Sequence, residues 1–350
     1  APSTIESVGL LFKYWEGRKM VTARDVFSDR PRVGMGCWAI GGPCEADGLA
    51  VGYGETDDEE SRQTIEAAWD AGVRVFDTAA AYGAGHSERL LGETIGNRSD
   101  AIIITKFGPV IDEARRRIAG EALDAESIRA SALASRKRLK RDQIDILLCH
   151  KNTLEVSDVP EVFNTLEQLR SEGVIASYGW STDFPERLES AAHYKGFVAV
   201  EHAMNVFFEA DSMSKIASSH QLSQIIRSPL AMGLLTGKFL VGDRIDPSDV
   251  RSNSFDWMDY FKGGEVSETH VAKLDAIREL LTSGGRTVGQ GALCWLLAKS
   301  PSLLPVPGAK TVKQIQENAA AVALGPLPSS AMEEIDQIID RPPEGPPRER

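Results

Sequence analysis

The chain has 350 residues, a formal net charge of −12 and an ordinary apolar fraction of 42%. This length favours one large or two ordinary domains, and the negative charge argues against nucleic acid or an anionic membrane surface as a partner. No run approaches the roughly 18 to 20 apolar residues of a membrane span. The apolar run at residues 8–12 is too short for a secretory signal.

The cysteines show no Cys-x-x-Cys spacing, and two of them, Cys149 and Cys294, lie inside apolar runs. Buried and reduced thiols in a cytoplasmic protein are therefore favoured over a zinc site. We expect no metal centre.

From residue 33 onward, strand-like apolar runs alternate with helical patterns. The predicted strands are 33–37, 73–77, 101–106, 144–149, 174–181, 198–201, 225–228 and 303–306. The first four are followed by helical patterns near residue 56, at 86–95, around Ile128 to Leu139, and at 159–171. Such alternation predicts a parallel sheet with helices outside it, and eight such units predict a closed (β/α)8 TIM barrel.

No Pro/Gly/Ser-rich linker divides this pattern, so we predict a single barrel domain over residues 21–341. Residues 1–20 are predicted to be a poorly ordered extension, and residues 342–350 a Pro-rich tail. Two segments exceed a minimal barrel, namely a long loop after strand 7 at residues 240–268 and a final helix at 330–339. A long loop on the top face of a barrel is usually a lid or a binding loop.

Polar residues stand where predicted strands end. Asp77, Lys106 and His150 close strands two, three and four, and Tyr82 follows Asp77 by five positions. In a barrel these strand ends share one rim. A lysine ammonium within about 4 to 6 Å of a phenol favours the phenolate and makes the phenol a better acid. Each residue alone fits an ordinary structural role, but the four together favour a proton-delivery site.

These motifs resemble the aldo-keto reductases. The matching segments, in chain order, are 76–79, 82–83, 87–92, 104–106, 147–150, 179–182, 228–238 and 307–310. The resemblance implies NADPH-dependent reduction of an aldehyde or ketone, without metal, by hydride transfer from the nicotinamide to the carbonyl carbon. Tyr82 would protonate the oxygen, Asp77 and Lys106 would tune Tyr82, and His150 would orient the carbonyl.

The resemblance also implies a cofactor groove across the barrel mouth. Thr311 and Gln314 form a predicted capping box, and a helix N-terminus beside Lys310 would seat a 2′-phosphate, which favours NADPH over NADH. The candidate cofactor-binding residues are Ser181, Thr182, Glu201, Asn205, Arg227, Ser228, Pro229, Leu230, Gly233, Leu235, Gly237, Lys238, Arg251, Gly308, Ala309, Lys310, Gln314 and Asn318.

Some of these assignments keep alternatives. Arg251 is interpreted either as a clamp over the pyrophosphate or as half of a surface salt bridge. Trp38 and Trp180 are candidates for the wall of the substrate pocket, and a core position suits either equally well.

Two residues depart from the family pattern. Glu201 stands where relatives usually carry glutamine, and Arg227 stands where many relatives place an aromatic ring. Glu201 is predicted either to favour the positively charged oxidised ring or to pair with Arg227, so that the two charges cancel. An arginine side chain is planar and can also stack on the nicotinamide.

Two other functions fit the sequence. One is a regulatory NADPH-binding subunit on the same barrel, similar to potassium-channel β subunits. The other is a barrel lyase or epimerase that uses no nicotinamide. For a reductase, the partner is a small carbonyl compound whose identity depends on the shapes of the loops, and the fold itself does not name it.

Overall fold

The computed structural model describes residues 26, 27, 29–342 and 344. Eight parallel strands form one sheet, each paired with the next along the chain. They are β1 (Met35–Gly36), β2 (Val75–Asp77), β3 (Ile102–Phe107), β4 (Ile144–Cys149), β5 (Ile175–Ser181), β6 (Phe197–Ala203), β7 (Ser223–Arg227) and β8 (Leu303–Pro305).

The sheet closes on itself between β8 and β1. The Gly34 nitrogen donates to the Pro305 oxygen at 2.9 Å, and the Gly36 nitrogen donates to the Pro307 oxygen at 3.0 Å. A side chain at position 36 would place its Cβ 2.5 Å from the Val306 oxygen, so only glycine allows this approach. The predicted (β/α)8 barrel is confirmed.

Ten helices surround the barrel in the part of the chain described. They are α1 (Asp58–Asp70), α2 (His86–Ile95), α3 (Ala125–Arg138), α4 (Val159–Ser171), α5 (Pro185–Ala191), α6 (Asp211–Ser219), α7 (Glu268–Leu281), α8 (Val288–Lys299), α9 (Val312–Leu324) and α10 (Ser329–Ile338). None of them is long and apolar enough to cross a bilayer. Most of the predicted extension and tail lies outside the described residues.

Helix α1 starts two residues later than its sequence pattern suggests. Asp57 is the N-cap, because its carboxylate accepts the Glu60 nitrogen at 2.8 Å. The sequence also offers Thr56 and Glu59 as a capping box, which is not the cap that forms, and Ile65 and Ala68 lie on the buried face of the helix. An aspartate at the N-cap satisfies a free backbone donor as well as a threonine does.

One hydrophobic core fills the barrel. It contains Val75, Ile104, Ile146, Leu148, Ala199, Ile225 and Leu304, which come from six of the eight strands, and Val306, which directly follows β8. Because side chains alternate between the two faces of a strand, the residues between them point outward, into the cores beneath the helices. All four cysteines are buried and free, as predicted.

The loops above the barrel carry short strands that the sequence patterns did not reveal. Glu45–Ala46, Leu49–Ala50, Pro109–Asp112 and Arg117–Glu121 form a small sheet. The long loop after β7 is bonded to the loop after β1, since the Val250 nitrogen donates to the Gly52 oxygen at 2.6 Å. The Asn253 amide also donates to the Ala50 oxygen at 2.7 Å. These bonds fasten the two loops to each other.

Candidate active site

The barrel brings the polar strand-end residues to one rim, facing inward. Asp77, Lys106 and His150 each lie two positions beyond an inner core residue, namely Val75, Ile104 and Leu148. With a period of two, all three side chains point to the barrel axis at its carboxyl end. The sequence therefore fixes their direction once the core residues are known.

Lys106 is the centre of this arrangement. Its Nζ donates to Asp77 Oδ1 at 2.7 Å, to the Thr78 carbonyl oxygen at 2.9 Å and to the Tyr82 hydroxyl at 3.3 Å. Tyr82 comes from the loop between β2 and α2, which returns over the end of β3. The structure thus brings three of the four predicted catalytic residues into direct contact.

Two rings flank Tyr82. The imidazole of His150 lies edge-on, with ring centroids 6.1 Å apart and planes at 82°. The indole of Trp38 stacks on Tyr82 at 5.7 Å with an interplanar angle of 15°. The fourth predicted catalytic residue is therefore next to the phenol, and Trp38 is placed where it can form a pocket wall.

A second carboxylate completes what we call the acid–base cluster, which consists of Asp77, Tyr82, Lys106 and Glu201. Glu201 Oε2 lies 3.2 Å from Lys106 Nζ, and Glu201 Oε1 accepts the Ser181 hydroxyl at 3.2 Å. The predicted pairing of Glu201 with Arg227 is wrong. Arg227 instead forms an ion pair with Asp183, which follows β5.

Burial and charge shift the pKa values of this cluster. Burial raises the pKa of Asp77 well above its ordinary value, and the Glu201 charge adds to the effect while Lys106 opposes it. Burial alone would lower the pKa of Lys106, but Asp77 and Glu201 together raise it. The lysine therefore stays charged at neutral pH.

The pKa of the Tyr82 phenol differs from the prediction. The pKa of Tyr82 is raised, first by burial; Lys106 lowers it, as predicted, and the two carboxylates raise it further. The net shift is therefore opposite to the one predicted from the lysine alone. Tyr82 is protonated throughout the neutral pH range.

Trp180 and Thr182, which were predicted to line the substrate pocket and the cofactor groove, face away from the barrel mouth. Trp180 is fully buried, donates to the Lys151 oxygen at 2.8 Å and packs against Phe163. Thr182 is also buried and donates to the Asn152 oxygen at 2.9 Å. Since Ser181 points inward, its two neighbours must point outward. Trp180 is a core residue, and its proposed place in the pocket wall is wrong.

The side chains of three other predicted cofactor residues are engaged in contacts within the protein at the barrel mouth. The Asn205 amide donates to the Ser228 oxygen at 3.1 Å and to the Tyr260 hydroxyl at 2.8 Å. The side chains of Leu235 and Ala309 are buried in hydrophobic cores, so these two residues can offer only backbone groups to a ligand.

The segment after β7 has an unusual backbone. Ser228, Ala231 and Met232 have φ values of 52°, 49° and 56°, and Gly233 follows at 98°. Left-handed conformations are costly for residues other than glycine and tend to occur at functional sites. Turns of this kind can direct backbone N–H groups toward an anion.

Three cations gather beside this segment around Asp249. We call Lys238, Arg251 and Lys310 the cation cluster. Arg251 binds both oxygens of Asp249, at 2.9 and 2.7 Å, and donates to the Met232 oxygen at 3.0 Å. Arg251 therefore does form a salt bridge, as one interpretation predicted, but its side chain is only 13% exposed, so the pair is not at the surface.

The two lysines of the cation cluster are short of negative partners. Lys310 Nζ donates to the carbonyl oxygens of Tyr53 at 2.5 Å and Glu55 at 3.3 Å. Burial lowers the pKa of Lys238, and Arg251 lowers it further. Burial also lowers the pKa of Lys310, where Asp249 opposes the effect and Arg251 adds to it. An added anion would therefore be stabilised here.

Helix α9 begins beside Lys310. Thr311 is the N-cap, as predicted, and accepts the Gln314 nitrogen at 3.3 Å. The Gln314 side chain accepts the Lys310 nitrogen at 2.8 Å, one residue earlier than a capping box requires. Asn318 donates to the Gly308 oxygen at 3.4 Å, so both side chains brace the loop that precedes the helix.

Sequence reasoning missed several residues at the mouth. Tyr53, Asp183 and Tyr260 contact predicted site residues, but each comes from a loop that carries no periodic pattern. Nothing in the chain's hydrophobic pattern points to these contacts.

A barrel with an acid–base cluster at the carboxyl ends of its strands has the architecture of a barrel enzyme. The sequence model of the Aldo/keto reductase family matches residues 32–340, and the chain belongs to this family.

Known proteins of this family are similar along most of their length. An NADP(+) aldo-keto reductase of Schizosaccharomyces pombe, yakc, is 27% identical over 322 residues, which cover 89% of this chain and 88% of the relative. The NADH-specific methylglyoxal reductase of Escherichia coli is 26% identical over 325 residues, covering 89% and 96%. The solved structure of glycerol dehydrogenase AKR11B4 from Gluconobacter oxydans has a TM-score of 0.73 at 25% identity, covering 90% of this chain and 93% of that one.

Proposed function

We propose that the protein reduces an aldehyde or ketone to an alcohol with NADPH, and that Tyr82 is the proton donor. The observation that carries this proposal is the contact of one buried lysine, Lys106, with both Asp77 and the Tyr82 hydroxyl. A phenol is a poor acid unless the phenolate is stabilised as it forms. Lys106 is placed to do this, and Asp77 holds its charge and position.

The proton path uses the chain's own residues. Tyr82 gives its proton to the carbonyl oxygen, and the resulting phenolate accepts a charge-assisted hydrogen bond from Lys106. His150, beside the phenol, orients the carbonyl oxygen. When bound, the nicotinamide supplies the hydride that the carbonyl carbon gains, so carbon and oxygen each receive one hydrogen and an alcohol results.

The barrel mouth fits a ligand with phosphate groups. The cation cluster holds three positive charges around Asp249, and the strained turn at 228–233 lies beside it. Arg227 has two buried donors, Nε and Nη1, with no hydrogen-bond partner among the described residues. We propose that the cation cluster binds the phosphates, with Lys310 at the 2′-phosphate. The relatives named for NADP(+) and for NADH show that the family includes both preferences.

Substitution of the phenol tests the proposed mechanism. Tyr82→Phe should reduce kcat about 10² to 10⁴-fold, because positioned acid catalysis contributes that much, while the dissociation constant for NADPH stays unchanged. Tyr194→Phe makes the same change in a partly buried ring beneath the outer helices and should retain kcat. A panel of sugars, aromatic aldehydes and keto compounds supplies the substrate.

The possible results separate the candidate functions. Full turnover in Tyr82→Phe would overturn the role of this residue. NADPH binding without turnover of any reactive aldehyde in the natural protein would favour a regulatory subunit, and lack of NADPH binding would favour a barrel lyase or epimerase.

A further inference from the structure

The acid–base cluster contains one more carboxylate than its lysine requires. Lys106 is 0% exposed, Glu201 1% and Asp77 4%. Lys106 lies 2.7 Å from Asp77 and 3.2 Å from Glu201, and within the described parts of the chain no other cation is within ion-pair distance of either carboxylate. Two carboxyl groups therefore share one ammonium, and the Glu201 charge contributes, after burial, to the raised pKa of Asp77.

The second carboxylate is not needed to hold the lysine. One carboxylate is enough to neutralise its charge, and Asp77 Oδ1 and the Thr78 carbonyl oxygen accept two of its hydrogen bonds. Burying a second carboxylate without a second cation costs free energy. Among the described residues Glu201 Oε2 accepts no hydrogen bond, and an uncharged acceptor at position 201 would be enough for the bond from Ser181 to Oε1. The charge of Glu201 therefore calls for a functional explanation.

The site's own chemistry provides one. Under the proposed function, the nicotinamide ring would be held next to the carbon that receives the hydride, and Tyr82 would protonate the oxygen on that carbon. Tyr82 is 3.3 Å from Lys106, whose second carboxylate is Glu201. The ring would thus lie within Coulomb range of Glu201. It is positively charged when oxidised and neutral when reduced.

We propose that Glu201 sets the preference of the site between the two redox forms of the cofactor. Its negative charge strengthens the binding of NADP⁺ and leaves the binding of NADPH almost unchanged. This shifts the equilibrium on the enzyme from carbonyl and NADPH toward alcohol and NADP⁺, while the equilibrium in solution is unaffected. The inference rests on the proposed function. Arg227 does not cancel this charge, because it is paired with Asp183.

Binding measurements on charge variants test this inference. In Glu201→Gln, the dissociation constant for NADP⁺ should rise at least about tenfold, equivalent to about 1.4 kcal/mol, with that for NADPH within about twofold of its natural value. Glu201→Asp keeps the charge and should keep most of the ratio between the two constants. Glu88→Gln removes an equally buried, ion-paired carboxylate outside the mouth and should leave the ratio unchanged.

The results distinguish this inference from the proposed function. The role of Glu201 is overturned if Glu201→Gln leaves the ratio of the NADP⁺ and NADPH dissociation constants unchanged. It is also overturned if Glu201→Asp changes this ratio as much as Glu201→Gln does. Either result would count even if the natural protein reduces aldehydes with NADPH. Failure of the natural protein to bind either redox form overturns both proposals. A change of this ratio in Glu201→Gln but not in Glu201→Asp, measured by titration without any substrate, supports the inference independently of turnover.

Discussion

The barrel mouth contains two charged clusters of opposite sign. In the acid–base cluster, two carboxylates share one lysine; in the cation cluster, three cations gather around one carboxylate. The pKa shifts follow this difference. Lys106 has a raised pKa because its carboxylates outweigh burial, whereas Lys238 and Lys310 have lowered pKa values because burial and Arg251 outweigh Asp249.

The acid–base cluster is stabilised by contacts within the protein, whereas the cation cluster is arranged to bind a ligand. Lys106 gains stabilising interactions from the protein itself, so its geometry is set before any ligand arrives. The positive charges of the cation cluster are only partly neutralised by the protein, and a bound anion would supply the remaining negative charge. A cofactor with phosphates at one end and a reactive ring at the other suits both clusters.

Removing each lysine in turn gives the largest expected contrast. Lys106→Met leaves Asp77 and Glu201 buried without a cation, and breaking a buried pair in this way costs about 3–5 kcal/mol of unfolding free energy. Lys310→Met removes a lysine that donates only to carbonyl oxygens and lies among like charges. We expect a much smaller loss of stability there.

Urea unfolding of the two variants measures this difference. Equal losses of unfolding free energy would mean that the excess carboxylate does not make Lys106 essential for stability. A Lys106→Met variant that fails to fold, beside a folded Lys310→Met, agrees with the expectation.

The two clusters also differ in how well the sequence predicts them. Asp77, Lys106 and His150 were predictable because strand ends in a barrel share one rim. The same alternation that points Ser181 inward could have placed Trp180 in the core. The contact of Glu201 with Lys106 depends on β3 and β6 meeting across the barrel, which no local pattern shows. The contacts of Lys310 and Arg251 depend on loop shapes, and these are set by tertiary packing.

A second prediction concerns the function of the cation cluster. Lys310→Met should weaken NADPH binding by about 1.5–3 kcal/mol, roughly tenfold to a hundredfold, because a hydrogen bond to a charged group is worth this much. NADH lacks the 2′-phosphate, so its affinity should hardly change. Lys313→Met, an exposed lysine in the first turn of α9, is the matched control.

Fluorescence titrations with both cofactors test this assignment. If the natural protein bound NADPH and NADH equally well, the assignment of Lys310 to the 2′-phosphate would be refuted. If Lys310→Met lost both affinities to the same degree, Lys310 would have to be a support for the loop after β1, which it also contacts.

The smallest expected effect is a pH dependence of the preference for NADPH over NADH, which we assign to the cation cluster alone. The pKa values of Lys238 and Lys310 lie below the ordinary 10.5, so these lysines lose their protons sooner than ordinary lysines as pH rises. Phosphate binding needs the protonated form. The preference for NADPH over NADH should therefore be full at neutral pH and decline at a lower pH than an ordinary lysine would allow.

The decline should be smaller than the loss in Lys310→Met, because a bound phosphate raises the pKa of the lysine it contacts. Lys310→Arg should flatten it, since a guanidinium stays charged at pH values where a lysine loses its proton. The acid–base cluster should add nothing to the slope, because the raised pKa of Lys106 keeps that lysine charged. A decline of the same size in Lys310→Arg would assign the titration to Lys238, the other lysine of the cation cluster whose pKa burial lowers.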